Sequence, residues 1–227
     1  MISIECLLFD LDGTLIDSRS DLARSVNLTL ADLGRRKLDE SDIAGFVGDG
    51  VWVLIRRCLK AADPEIGEPG PELHRQALAL LRKHYSEQML VKTDLYPNVR
   101  ETLSRFDGKK IALVTSKESD FARQLLEHFG LMAYFDCVIG GDTLPERKPD
   151  PKPVIEAMRK LGCSPGDAVM VGDSENDIIA GRSAGTRTCA VTYGFRTREQ
   201  LVATRPDVVI DGFGQLDDYF VELQVES

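Results

Sequence analysis

Short apolar runs alternate with helical patterns along most of the 227 residues. The apolar runs that we predict as strands are residues 4–10, 110–115, 136–139, 168–172, 187–192 and 207–210. Between them, apolar residues recur at helical spacing, as they do over 121–129. Strands that alternate with helices are joined by right-handed crossovers, which place them side by side and parallel. The sequence therefore predicts an α/β fold with a doubly wound, mostly parallel sheet.

One stretch breaks this alternation, because it contains helical patterns and no convincing strand. Two of its predicted helices cover 51–61 and 71–88, and Ser18 with Asp21 resembles the capping box of an earlier helix. We expect this block to be a cap over the carboxyl edge of the sheet. The predicted domains are a core of residues 1–16 and 92–227 and a small α-helical cap of residues 17–91.

Four polar segments each begin where an apolar run or its following turn ends. They are Asp10 with Asp12, Thr115–Lys117, Lys148, and Asp173 with Asp177. In open α/β sheets, ligands bind outside the carboxyl ends of the strands, near the point where the strand order reverses. We therefore expect all four segments to meet at one site.

The residue types in these segments suit phosphoryl transfer. Clustered carboxylates repel one another unless a cation lies between them, and Mg²⁺ prefers oxygen ligands while leaving room for a phosphate oxygen. Lys148 supplies a fixed positive charge and Thr115 a hydroxyl donor for the transferring group. One carboxylate of the Asp10 and Asp12 pair can attack phosphorus, while the other protonates the leaving alkoxide and later activates water.

Each segment alone also fits a structural role. An Asp-x-Asp-Gly run can open an EF-hand, but Leu15 and Asp21 stand where that loop needs glycine and glutamate. Residues 172–177 fit a turn that caps the next helix, Lys148 fits a surface lysine, and Thr115–Ser116 fit a helix cap. The occurrence of all four segments at strand ends favours the catalytic interpretation.

The segments resemble the motifs of the haloacid dehalogenase-like superfamily of aspartate-nucleophile phosphatases, whose core is Rossmann-like. The matching residues are Asp10-Leu-Asp12-Gly-Thr14, Thr115, Lys148, and Gly172-Asp173 with Asp177. The resemblance implies that Asp10 is the nucleophile and Asp12 the general acid/base. It also implies that Asp10, the main-chain carbonyl of Asp12, and Asp173 hold Mg²⁺, that Asp177 supports this metal site, and that Lys148 bridges Asp10 and the phosphate.

Within the superfamily, the chain is most similar to the phosphoglycolate phosphatase group. Residues 47–51 resemble that group's cap loop, although their glycines also fit a plain helix-entry turn. The group's second motif often reads Thr-Asn-Lys, whereas serine occupies the middle position here. The residues that we expect to bind phosphate or substrate are Thr14, Thr115, Ser116, Lys117, Gly48, Asp49 and Gly50.

The resemblance implies a Mg²⁺-dependent phosphatase for a small anionic phosphomonoester, with 2-phosphoglycolate as the leading substrate. The alternatives are a sugar phosphomutase, a pyrophosphatase or a nucleotidase on the same fold. A non-catalytic phosphate-binding module is disfavoured, because the nucleophile and the acid/base are both present. A carboxylate substrate needs a basic partner, and the candidates are Arg19, Arg56, Arg57 and Lys117.

The net charge of −9 argues against nucleic acid or an anionic membrane as a partner, since both need a basic surface. No apolar run approaches the ~20 residues that span a bilayer. We therefore expect a cytoplasmic protein, a monomer or homodimer, that acts on a phosphorylated metabolite. We expect the scattered cysteines to be small core hydrophobes rather than a redox or zinc site. They are Cys6, Cys58, Cys137, Cys163 and Cys189.

Overall fold

The computed structural model of the chain describes residues 4–220, which contain eight strands and ten α-helices. The strands are β1 (Cys6–Phe9), β2 (Ile16–Asp17), β3 (Asp94–Leu95), β4 (Lys110–Val114), β5 (Cys137–Ile139), β6 (Ala168–Gly172), β7 (Arg187–Val191) and β8 (Val208–Ile210). The helices are α1 (Arg19–Asp32), α2 (Glu40–Phe46), α3 (Val51–Ala62), α4 (Pro71–Gln88), α5 (Val99–Arg105), α6 (Ser119–His128), α7 (Lys152–Leu161), α8 (Glu175–Ala184), α9 (Arg198–Ala203) and α10 (Leu216–Phe220).

Six strands form one sheet in the order β5-β4-β1-β6-β7-β8, and each pairing is parallel. This confirms the predicted doubly wound α/β fold. Strands β1 and β6 are buried along their whole length, which explains why they read as continuous apolar runs rather than alternating ones. The chain leaves β1 toward β4 on one side and returns to β6 on the other, so the strand order reverses at β1.

The chain divides into two compact units. Ile16–Asp94 form one, which we call the helical unit, and the described residues before and after it form the other, which we call the sheet unit. The sequence pattern predicts these boundaries after residues 16 and 91, because helical periodicity ends before the two-residue strand β3 begins. Strands β2 and β3, which pair with each other, are too short to give a periodic signal.

Within the helical unit, Asp21 does not make the capping box that its spacing predicts, since the N-cap of α1 has no side-chain cap hydrogen bond. Asp21 is instead 1% exposed, and its carboxylate accepts hydrogen bonds from the amides of Val91, Lys92 and Thr93 at 2.8 to 3.1 Å. The Thr93 hydroxyl donates to the same carboxylate at 2.8 Å. Asp21 thereby fastens the end of the helical unit to its first helix.

The cysteine prediction is wrong for one pair, because Cys6 and Cys163 form a disulfide with their Cα atoms 6.5 Å apart. Parallel pairing brings Cys6 level with Ala168 of β6, and Cys163 lies in the turn that leads into that strand. A separation of 157 residues hides this proximity from the sequence pattern. Among the other cysteines, Cys58 and Cys189 are buried. None of the helices within residues 4–220 is both long and apolar enough to cross a membrane.

Candidate active site

The register of the central strands brings the polar segments together. Phe9 of β1 lies level with Leu113 of β4 on one side and Val171 of β6 on the other. Asp10, Val114 and Gly172 therefore follow at the same edge of the sheet. The Asp10 amide donates to the Val171 carbonyl at 3.0 Å, which continues the strand pairing up to the site. Asp10 and Asp173 thus directly follow buried, parallel strands, which fix the position of their backbone.

Lys148 connects two of the aspartates. Its Nζ donates to Asp10 Oδ1 at 2.9 Å, to Asp177 Oδ1 at 2.5 Å and to the Val114 carbonyl oxygen at 2.6 Å. The Lys148 side chain is 3% exposed. Burial by itself lowers the pKa of Lys148, but the charges of Asp10 and Asp177 outweigh this and raise that pKa above its usual value. Lys148 is therefore a fixed cation with each of its three hydrogens directed at an acceptor.

Carboxylate oxygens of Asp10, Asp173 and Asp177 all lie within 4.8 Å of one another. Burial raises the pKa of Asp10 to about 7, against the effect of Lys148 and with added repulsion from Asp177 and Asp12. Burial is also the main cause of the raised pKa of Asp173. Three buried carboxylates against the single charge of Lys148 leave an excess of negative charge. This set of oxygen donors fits a hard divalent cation such as Mg²⁺.

Glycines let the backbone approach these carboxylates closely. Gly13 has a φ of +85°, and a Cβ on it would overlap the Asp173 carboxylate. A Cβ on Gly194 would also overlap Asp173, and one on Gly172 would overlap Asp177. The site therefore requires glycine at positions where any larger residue would displace a carboxylate.

Asp177 both caps α8 and contributes a carboxylate to the site. As the third residue of α8, it accepts hydrogen bonds from the Ser174 amide at 3.0 Å and the Ser174 hydroxyl at 2.6 Å. The same carboxylate accepts the bond from Lys148. The helix cap at the start of α8 thus fixes the Asp177 carboxylate in the site. Asp177 therefore serves both as a helix-capping residue and as part of the carboxylate cluster.

Asp12 contacts a different lysine from the one that bonds Asp10 and Asp177. Lys117 Nζ is 3.2 Å from Asp12 Oδ1, and the two side chains are 7% and 12% exposed, respectively. The predicted acid/base and the predicted nucleophile therefore each have a buried lysine, with Lys148 beside Asp10 and Lys117 beside Asp12.

Three hydroxyl groups lie at the same edge of the sheet. Thr14 Oγ1 and Ser116 Oγ are buried and have no hydrogen-bond partner within residues 4–220. Thr115 is 5% exposed, and its hydroxyl oxygen accepts from the Lys117 amide at 3.1 Å. Buried hydroxyls without partners are rare because they lose their bonds to water. A ligand that presents oxygen acceptors, such as a phosphoryl group, would satisfy them.

The remaining predicted site residues, Gly48, Asp49 and Gly50, belong to the helical unit. Gly48 and Gly50 have φ values of +126° and +84°, and Gly50 immediately precedes α3. Asp49 pairs with Arg57 at 2.6 Å. The helix-entry turn explains both glycines by itself, and a role toward substrate stays a prediction.

Two contacts of the site come from the segment after β7, which is not among the predicted site residues. The Phe195 amide donates to Asp173 Oδ2 at 2.6 Å, and the Tyr193 hydroxyl donates to the Thr14 carbonyl oxygen at 2.8 Å. Gly194, between them, packs against Asp173. The available signal was a glycine just beyond the carboxyl end of another predicted strand.

Known proteins resemble this chain over most of its length. The sequence profile of the family described as haloacid dehalogenase-like hydrolase matches residues 7–191. A phosphoglycolate phosphatase from Photobacterium profundum is 39% identical over 220 residues, which cover 95% of each chain. Phosphoglycolate phosphatase 1 from Pseudomonas aeruginosa is 40% identical over 212 residues, 92% of this chain and 77% of that protein. A crystal structure described as a predicted phosphoglycolate phosphatase from Haemophilus somnus, 33% identical, has a TM-score of 0.90 and covers 96% of this chain and 98% of that chain.

Proposed function

The chain belongs to the haloacid dehalogenase-like hydrolases, and we propose that it is a Mg²⁺-dependent phosphatase that converts 2-phosphoglycolate to glycolate and phosphate. The observation that carries this proposal is the buried cluster of Asp10, Asp173 and Asp177, two of which bond Lys148, at the point where the strand order reverses. The names of the relatives support the choice of substrate.

In the proposed reaction, Asp10 attacks phosphorus while the bond between phosphorus and the ester oxygen breaks. Asp12 gives its proton to that oxygen, and glycolate leaves. Asp12 then takes a proton from water, whose oxygen attacks the aspartyl phosphate and releases phosphate, which restores Asp10. Lys148 offsets negative charge beside Asp10 throughout, and Thr14, Thr115 and Ser116 offer hydroxyl donors to the phosphoryl oxygens.

Mg²⁺ would be held by Asp10, Asp173 and the main-chain carbonyl of Asp12, with Asp177 in a supporting position. When bound, the cation would favour the ionised form of Asp10 and offset the charge of the phosphoryl group. The raised pKa values of Asp10 and Asp173 support this assignment, because they reflect burial and repulsion between carboxylates, whose negative charge a cation would offset.

The helical unit acts as a cap that closes over the substrate, with Gly48, Asp49 and Gly50 in its substrate loop and with hinges near residues 15–18 and 90–97. The enzyme works in the cytoplasm as a monomer or homodimer on a small phosphorylated metabolite. The net charge of −9 supports the exclusion of nucleic acid and anionic membranes as partners.

The test is phosphate release from a panel of small esters, with Mg²⁺ or with a chelator. The panel contains 2-phosphoglycolate, glycerol phosphate, a hexose phosphate, a nucleoside monophosphate and pyrophosphate. We expect the highest kcat/KM for 2-phosphoglycolate and loss of all turnover on chelation. Absence of Mg²⁺-dependent release from every phosphomonoester would contradict the proposal, and isomerisation of the hexose phosphate without free phosphate would indicate a mutase instead.

A further inference from the structure

Lys117 is a buried cation beside the proposed acid/base. It follows β4 directly, and the loop that carries it is held on both sides. Its amide donates to the Thr115 hydroxyl oxygen at 3.1 Å, and its carbonyl oxygen accepts from the Gly141 amide at 2.7 Å. The side chain is 7% exposed and lies 3.2 Å from Asp12 Oδ1. The ammonium group is therefore positioned by the sheet unit itself.

The two buried lysines are suited to different tasks. Lys148 directs its hydrogens at Asp10, Asp177 and Val114, so its charge lies beside the proposed nucleophile. Lys117 accompanies Asp12, which must contact the ester oxygen in order to protonate it. A cation that contacts Asp12 is consequently close to whatever group the ester oxygen carries. In 2-phosphoglycolate a single methylene joins that oxygen to the carboxylate.

The other basic candidates pair with carboxylates of the helical unit or are exposed to solvent. Arg19 pairs with Asp17, and Arg57 pairs with Asp49, both within the helical unit. Arg56 is exposed to solvent on α3. A buried ammonium distinguishes a carboxylate from a neutral group better than an exposed guanidinium, because water screens the exposed charge.

From these contacts we propose that Lys117 binds the carboxylate of the substrate while it contacts Asp12. Lys117 would thereby select phosphate esters whose alcohol carries a carboxylate over phosphate esters of uncharged alcohols. This inference rests on the proposed function and makes it more specific. It places recognition of the carboxylate in the sheet unit, beside the leaving oxygen. An ester of an uncharged alcohol would not supply a carboxylate for the Lys117 ammonium group to bind.

The experiment compares two esters of similar length, 2-phosphoglycolate and 2-hydroxyethyl phosphate, in the wild type and in Lys117→Met, Lys117→Arg and Lys109→Met. Lys109 is the matched control. Its Nζ lies 3.9 Å from Glu5, and the two residues precede β4 and β1, at the opposite edge of the sheet from the site. Thermal unfolding checks that each variant folds. The decisive quantity is the ratio of kcat/KM between the two esters.

We expect Lys117→Met to lower kcat/KM for 2-phosphoglycolate by at least about 30-fold, mainly through KM, because it removes one partner of a buried charge pair. The kcat/KM for 2-hydroxyethyl phosphate should change by less than about 3-fold, so most of the preference for 2-phosphoglycolate should be lost. Lys117→Arg should keep part of the preference, and Lys109→Met should keep all of it. An equal loss for both esters, through kcat, would show that Lys117 acts only by positioning Asp12 and would overturn the inference.

A binding measurement separates recognition from catalysis. In an Asp10→Asn background, addition of Lys117→Met should raise the Kd of 2-phosphoglycolate by about the same factor and leave that of 2-hydroxyethyl phosphate near its starting value. An unchanged Kd for 2-phosphoglycolate would overturn the inference while leaving the proposed function intact. A wild type that releases no phosphate from either ester would instead contradict the proposed function.

Discussion

Lys148 Nζ lies 2.9 Å from the Asp10 carboxylate, although 138 residues separate the two in the chain. The contact exists because β1 is the central strand and the polar segments follow the carboxyl ends of the sheet. One ammonium offsets one carboxylate, while Asp173 and Asp177 lie within the same cluster. The remaining negative charge is the physical basis for the metal and for the chemistry that we propose.

Asp10→Asn should lower turnover of 2-phosphoglycolate by at least about 10⁴-fold, because the amide is a poor nucleophile. Asp107→Asn, at an exposed position, is the control and should keep full activity. Steady-state phosphate release measures both. Near-normal activity of Asp10→Asn would show that another group attacks phosphorus.

Asp10→Asn should also stabilise the metal-free protein at high pH. Folding raises the pKa of Asp10 from 3.8 to about 7, so between these values the folded protein holds a proton that the unfolded chain has lost. The free energy of unfolding therefore falls as the pH rises through this window. Asp10→Asn lacks this loss, so its Tm should exceed that of the wild type by a few degrees at pH 8 and by little at pH 4. A constant difference across this range would contradict the assigned shift.

Mg²⁺ should raise the Tm of the wild type, and the rise should shrink as the pH falls from 8 to 6. Protons compete for carboxylates with raised pKa values, and Asp10 titrates near pH 7. Differential scanning fluorimetry over a Mg²⁺ series measures the effect. Asp173→Asn should weaken it at every pH, whereas Asp107→Asn should not. A Tm rise that is independent of pH would contradict binding at this cluster.

Gly13→Ala should abolish activity as well as lower stability. Its φ of +85° disfavours alanine by about 1–2 kcal/mol, and the new Cβ would displace the Asp173 carboxylate. Gly108→Ala is a close control, because Gly108 has a φ of +80° and nothing within 4 Å of the added Cβ. Both variants should unfold at lower temperature, while only Gly13→Ala loses phosphate release. Equal activity in the two variants would mean that the approach to Asp173 is unimportant.

Asp21→Ala should lower the free energy of unfolding by about 2–4 kcal/mol, because the amides of residues 91–93 lose their common acceptor. Asp21→Asn keeps one acceptor oxygen and should lose less. Asp42→Ala, at an exposed position on α2, is the control and should change stability little. Urea denaturation measures all three. A loss no larger than that of Asp42→Ala would show that this contact is not stabilising.

The sheet was predictable, and so was the position of the residues that directly follow its central strands, because both depend on local patterns. A buried parallel strand is a continuous apolar run, as in β1 and β6, and the residues that follow it must lie at the ligand-binding edge. Asp10 and Asp173 directly follow such strands, whereas Lys148 lies beyond the turn after β5, and its role stays a prediction from the family resemblance. Strands of two residues, such as β2, carry no period and were missed for that reason.

Contacts between distant side chains were not predictable in this way. The spacing of Ser18 and Asp21 satisfies a capping box, but Asp21 accepts bonds from residues some 70 positions away instead. The residue that Lys117 contacts could likewise not be predicted. Strand order places the Lys117 backbone at the carboxyl edge of the sheet but does not fix the direction of its side chain. The Asp12 contact that supports its role is visible only in three dimensions.

The most direct test of covalent capture by Asp10 uses Asp12→Asn with p-nitrophenyl phosphate. The p-nitrophenolate group leaves without a proton, so attack by Asp10 should proceed, while hydrolysis of the aspartyl phosphate slows because its general base is missing. We predict a burst of about one equivalent of p-nitrophenol and, in acid-quenched protein, one phosphoryl group on the peptide that contains Asp10. Absence of the burst together with a phosphoryl group on another residue, or on none, would contradict the account.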